Sequence, residues 1–80
     1  MPSRLQTGRA LVGVKQSRRA LKDGSVQLAF IAENAEDRIK KPLLALCEEK
    51  GVETIMVPTM QELGKYCGID VGAAIAVLRK

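Results

Sequence analysis

An α/β layered domain, with helices on both faces of one sheet, is the fold class this sequence predicts. Three observations carry that expectation. Segments with helical spacing alternate with short, apolar, β-rich segments through the chain. The run Val26–Ala32 (V-Q-L-A-F-I-A) is too uniformly apolar for a strand with one wet face, which suits a strand covered on both sides. Glycines at 24, 51 and 68 each close a helical pattern. Eighty residues hold one core, so residues 1–80 read as a single domain.

In chain order, residues 3–9 are expected as a short first helix anchored by Leu5. Ala10–Gly13 reads as a short strand, and a basic helix follows from Lys15 to Lys22, stopped by Asp23-Gly24. After the strand Val26–Ala32, Asn34 is a candidate N-cap, with Glu36 and Asp37 favouring the first turn through the helix dipole. Ile39, Leu43, Leu46 and Cys47 carry that helix's apolar stripe. Pro42 interrupts it, and is expected either to kink the helix or to mark its true start. Val52–Val57 (V-E-T-I-M-V) is the next strand. Thr59-Met60-Gln61-Glu62 is a capping box, in which the threonine hydroxyl takes an orphan amide and the glutamate reaches back. Met60, Leu63 and Cys67 form this helix's apolar edge. Ala73–Leu78 reads as a final buried strand, closed by Arg79-Lys80.

Composition narrows the chemistry. Thirteen basic residues against nine acidic ones give a formal charge of +4, a moderate excess that fits a nucleic-acid partner. With Phe30 and Tyr66 as the only aromatics, base-stacking platforms, which normally need several exposed aromatics, are not expected; an RNA would be held through charge, shape and base edges. There is no histidine, so a His-dependent triad is impossible, and the two cysteines, Cys47 and Cys67, lack zinc spacing. Both cysteines sit in apolar helical patterns and read as buried thiols in a reducing cytosol. No phosphate-cradling glycine motif, serine elbow or carboxylate pair points to catalysis. We therefore expect no enzyme, cofactor, metal or small-molecule substrate. The N-terminus lacks a signal-peptide core, and the apolar run Val71–Leu78 is too short to cross a bilayer. A cytoplasmic monomer is the expected state.

The stretch Gly13-Val14-Lys15-Gln16-Ser17-Arg18-Arg19 stands out. Lys15, Arg18, Arg19 and Lys22 fall at i, i+3, i+4 and i+7, on one side of a helix, while Val14, Ser17 and Leu21 can face a core. Free amides at the first turn and the positive end of the macrodipole favour phosphate there. The plainer reading is a solvated basic face.

Three segments carry a family likeness. Leu46-Cys47-Glu48-Glu49-Lys50-Gly51-Val52 resembles a stretch of the kink-turn-binding ribosomal protein family (the L-seven-Ae, L-thirty-e and S-twelve-e group). Val57-Pro58-Thr59-Met60-Gln61-Glu62-Leu63-Gly64-Lys65 with Cys67-Gly68-Ile69 is similar to another, and Gly13–Leu21 to a third. The segments have the right order and spacing, from about Leu11 to Leu78, and the short length with the Lys15-Gln16 pair suggests the bacterial branch. The resemblance implies a three-layer α-β-α sandwich around a mixed four-stranded sheet. It also implies binding to kink-turns, bent RNA elements built on tandem sheared G·A pairs, whether in ribosomal RNA, a riboswitch or another structured RNA. By the same resemblance, Lys15 and Gln16 meet the guanine edges, Arg19 meets the RNA backbone, and Gly13 permits close approach. Ile69, Asp70, Val71 and Gly72 form the loop that packs over unpaired bases. Arg18 and Lys22 add general attraction. Lys15-Gln16 replaces the Asn-Glu of the family's archaeal and eukaryotic branch, and Gly72 stands where many members carry proline. The alternative is a protein-interaction module of a ribonucleoprotein that keeps the fold without binding kink-turns.

Overall fold

The computed structural model describes residues 10–80; the helix expected over residues 3–9 lies outside that range. The elements run β1 (Ala10–Val12), α1 (Val14–Asp23), β2 (Val26–Ala32), α2 (Asp37–Glu49), β3 (Glu53–Val57), α3 (Met60–Tyr66) and β4 (Ile75–Arg79). The four strands form one sheet in the order β1-β4-β2-β3. β4 runs antiparallel to both β1 and β2, and β2 runs parallel to β3, so the sheet is mixed as expected.

Alternation along β2 explains the layers. Leu28 and Phe30 join Ala76 and Leu78 of β4 and Leu63 of α3 in one core, while Ala29 and Ile31 join Ile75, Val77, Leu21, Leu43 and Cys47 in the other. The helices α1 and α2 therefore share one face and α3 covers the opposite one. Phe30, Ile31, Ile75 and Val77 are almost wholly buried, as the apolar run in β2 predicts.

Several local expectations change. Asn34 does not cap α2; Glu36 holds that position, without a side-chain cap. The helix α2 starts at Asp37 and continues through Pro42, so the proline does not mark its start. Ile39 packs in the same core as Leu43 and Cys47, and that stripe on both sides of Pro42 holds the first turn in register. Pro42 itself is exposed, where a lost amide costs least. Val52 lies just before β3, because its amide donates to the Cys47 carbonyl (2.8 Å) and closes α2. Ala73 and Ala74 precede β4: the Ala73 amide donates to Met60 O (3.0 Å), while Ala74 O accepts from the Ala32 amide at the end of β2 (2.9 Å). Cys47 is buried, whereas Cys67 is only half-buried. Burial pushes both thiols up from 9.0, so neither is an activated nucleophile. Among the described residues, no helix is long and apolar enough to cross a membrane.

Candidate nucleic-acid interface

Strand direction brings the start of α1 and the Ile69–Gly72 loop to one end of the sheet, while α1 carries Arg19 and Lys22 away from it. Val12 at the end of β1 pairs with Ala76, and Ile31 near the end of β2 pairs with both Ile75 and Met56. The exits of β1, β2 and β3 therefore lie beside the entry to β4.

From β1 the chain turns into α1 at Gly13, whose φ of 113° is open to glycine and costly for any side chain. The first intrahelical bond runs from the Ser17 amide to Gly13 O (3.0 Å), leaving the amides of Val14, Lys15 and Gln16 without an intrahelical acceptor. No side chain caps them and the first turn holds no acid. Nothing lies within 4 Å of where a Cβ on Gly13 would sit, so the turn is open to an approaching ligand. Lys15, Gln16, Arg18, Arg19 and Lys22 are all exposed, and together they line an open hollow of about 310 Å³. Ser17 and Leu21, on the neighbouring stripe, are fully buried. The basic face thus lies on a helix anchored from behind.

The second candidate, Ile69–Gly72, follows Gly68, which turns the chain at a φ of 77°. Ile69 and Val71 are among the few large apolar side chains left exposed, Val71 at 69%. Their backbone is nevertheless tied down. The Ile69 amide donates to Gly64 O (3.0 Å), and a Cβ on Gly64 would collide with the Val71 carbonyl oxygen. One hydrogen bond ties the α1 start to the entry of β4, the strand that this loop leads into: the Gly13 amide donates to Ile75 O (3.0 Å). Gly72 is three residues from Ile75, at most about 11 Å of chain.

A family model for the "ribosomal protein L7Ae/L30e/S12e/Gadd45 family" matches residues 1–80. The chain belongs to this family. An RNA-binding protein of Caldanaerobacter subterraneus is 46% identical over 66 residues, covering 82% of this chain and 80% of the relative. One from Geobacillus thermodenitrificans is 42% identical over 76 residues, covering 94% and 93%. These bacterial relatives place the chain in the short bacterial branch of the L7Ae group. Among solved structures, the "Giardia lamblia 15.5kD RNA binding protein" superposes with a TM-score of 0.89 at 24% identity. It covers 99% of this chain, which spans 67% of that protein. A Bacillus halodurans protein of unknown function superposes with a TM-score of 0.87 at 23% identity, over 99% of this chain and 79% of its own. At that identity, the likeness establishes the L7Ae-type fold.

Two positioning residues of this L7Ae-family chain escape a reading of single motifs. The Asn34 side-chain oxygen accepts from the Met60 amide (2.8 Å), while Thr59 Oγ1 accepts from the Glu62 amide (3.1 Å). Asn34 therefore caps α3 across a sequence gap of 26 residues, and the threonine half of the expected capping box is formed. Because Met60 O accepts from Ala73, α3 is held between the β2 exit and the entry to β4. Gly64 is the other such residue: it lies in the Leu63-Gly64 step of the family-like segment, but its role as the seat of the loop depends on tertiary contact.

Proposed function

We propose that this chain binds RNA and recognises kink-turns through the end of the sheet that carries the α1 start and the Ile69–Gly72 loop. The observation that supports this best is the Gly13–Ile75 hydrogen bond, which ties an acid-free, uncapped, cationic helix start to the strand that follows the loop of exposed apolar residues within three residues. Charge alone would attract any polyanion; the adjoining apolar loop adds cover for unpaired bases, which a kink-turn displays. The names of the relatives as RNA-binding proteins agree.

In this reading Lys15 donates to guanine O6 and N7, and Gln16, which both donates and accepts, meets the neighbouring base edge. Gly13 lets the RNA come close to the backbone, and Arg19 contacts phosphate. Ile69, Asp70, Val71 and Gly72 pack over the loop bases, with Arg18 and Lys22 supplying longer-range attraction. The absence of aromatic platforms is no obstacle, because the bases are covered by aliphatic groups.

The test is a binding titration with a kink-turn RNA and with the same RNA whose G·A pairs are changed to Watson–Crick pairs. The kink-turn RNA should bind more tightly by about a hundredfold or more, the scale of two discriminated base contacts. Lys15→Ala should shrink that ratio, whereas Lys22→Ala should weaken both RNAs alike and lower the salt slope by about one. Equal wild-type affinity for the two RNAs would refute kink-turn recognition.

A further inference from the structure

Charge is unevenly spread over the molecule. The helix α1 and the two residues Arg79-Lys80 carry Lys15, Arg18, Arg19, Lys22, Arg79 and Lys80 against the single acid Asp23. The remaining described residues hold eight acids against five bases. The helix α1 runs parallel to β4, so the cationic surface starts at Gly13 beside Ile75 and reaches Arg79 at the opposite end of the sheet. Ten residues of helix span about 15 Å, half of the molecule's 30 Å long axis.

The far end of this surface is built rather than frayed. The Lys80 amide donates to Ser25 O (2.8 Å), and the Ser25 hydroxyl donates to Ala20 O (3.2 Å). A register shift between Val26 and Leu28 sets Gln27 outward, where its Nε2 donates to the Arg79 carbonyl (3.3 Å). A second open hollow, of about 210 Å³, lies between α1 and this strand end, bounded by Gln16, Arg19, Asp23, Ser25 and Arg79. Gln16 and Arg19 also bound the first hollow, so the two meet along the flank of α1.

We infer that the groove between α1 and the end of β4, flanked by Arg19 and Arg79, is a second phosphate-binding surface that holds a stem of the bound RNA. This inference rests on the RNA-binding reading above and adds a contact about 15 Å from the base-reading end. An A-form RNA duplex advances about 2.8 Å per base pair, so the span amounts to about five pairs of stem. Arg79 and Arg19 meet the stem backbone from either side of the groove. Asp23 opposes them, and its position in the last turn of α1 is unfavourable to the helix dipole as well.

The test uses the full chain and three RNAs. Two of these are kink-turn RNAs, one with both stems of about ten base pairs and one with a single stem cut to about three, short of the span estimated above, the cut stem being the one whose loss weakens wild-type binding more. The third keeps the long stems but has its G·A pairs changed to Watson–Crick pairs. Arg79→Gln should weaken binding about three- to tenfold for RNAs that keep one particular long stem, lower the salt slope by about one, and leave the RNA lacking that stem unaffected. Arg79→Lys should retain most of the affinity. Asp23→Asn should tighten binding to the long-stem RNA, a gain that a damaged fold would not produce. Equal loss on long and short stems, or no loss, would overturn the stem contact. Should wild-type protein bind the third RNA as tightly as the kink-turn, kink-turn recognition fails, while the dependence on stem length still decides the role of Arg79.

Discussion

Ser17 is the only wholly buried polar side chain among the described residues, and its hydroxyl has no hydrogen-bond partner. An unpaired buried hydroxyl is destabilising, and alanine is the better helix former. Ser17→Ala should therefore raise stability by about 0.5–2 kcal/mol, measured as a higher urea midpoint at an unchanged slope. A loss of stability would show that the hydroxyl finds a partner in solution. At this scale the sequence was legible where a residue acts through its own helix. The i, i+3, i+4, i+7 spacing correctly put Lys15, Arg18, Arg19 and Lys22 on the exposed face and Ser17 and Leu21 inside. It was not legible where a residue acts across the fold. Asn34 has the chemistry of a cap and does cap a helix, but a helix that starts 26 residues later.

The loop Ile69–Gly72 owes its position to α3, which touches it at Gly64 and through the Met60 carbonyl. Gly64→Ala would place a methyl group on the Val71 carbonyl, so the loop must shift away from α3. Because α3 keeps Leu63 buried and both of its caps, the domain should remain folded. We expect Gly64→Ala to weaken kink-turn binding at least about tenfold, the effect of displacing groups by an ångström or so, while the circular dichroism spectrum stays native. Undiminished binding would mean that the loop takes no part. Among the described residues element existence was readable from periodicity, while the boundaries moved for identifiable reasons. Val52 and Ala73 have strand-like composition, yet their amides donate to carbonyls of the neighbouring helices, at Cys47 and Met60. Pro42 has the opposite lesson: a local breaker is overruled when Ile39 and Leu43 share a core.

As a whole, the molecule separates charge over its surface. One sheet end joins the α1 start to the loop, α1 and the end of β4 extend the positive surface, and the acids lie mainly elsewhere. The strand order β1-β4-β2-β3 could not be read from pattern, because it pairs Ala10 with Leu78 across nearly the whole chain. Periodicity supplied the layers, and only the likeness in three ordered segments implied a mixed sheet. The same pairing turns two distant motifs into neighbours, and the proposed site depends on that adjacency. The most direct test is an amide-resolved NMR titration of the full chain with kink-turn RNA, with the Watson–Crick-converted RNA as control. The account predicts that the amides of Gly13–Arg19 and Ile69–Gly72 shift together with kink-turn RNA and not with the control, while those of Glu48–Glu53 remain unmoved. Shifts confined to α1, or the same shifts with both RNAs, would contradict it.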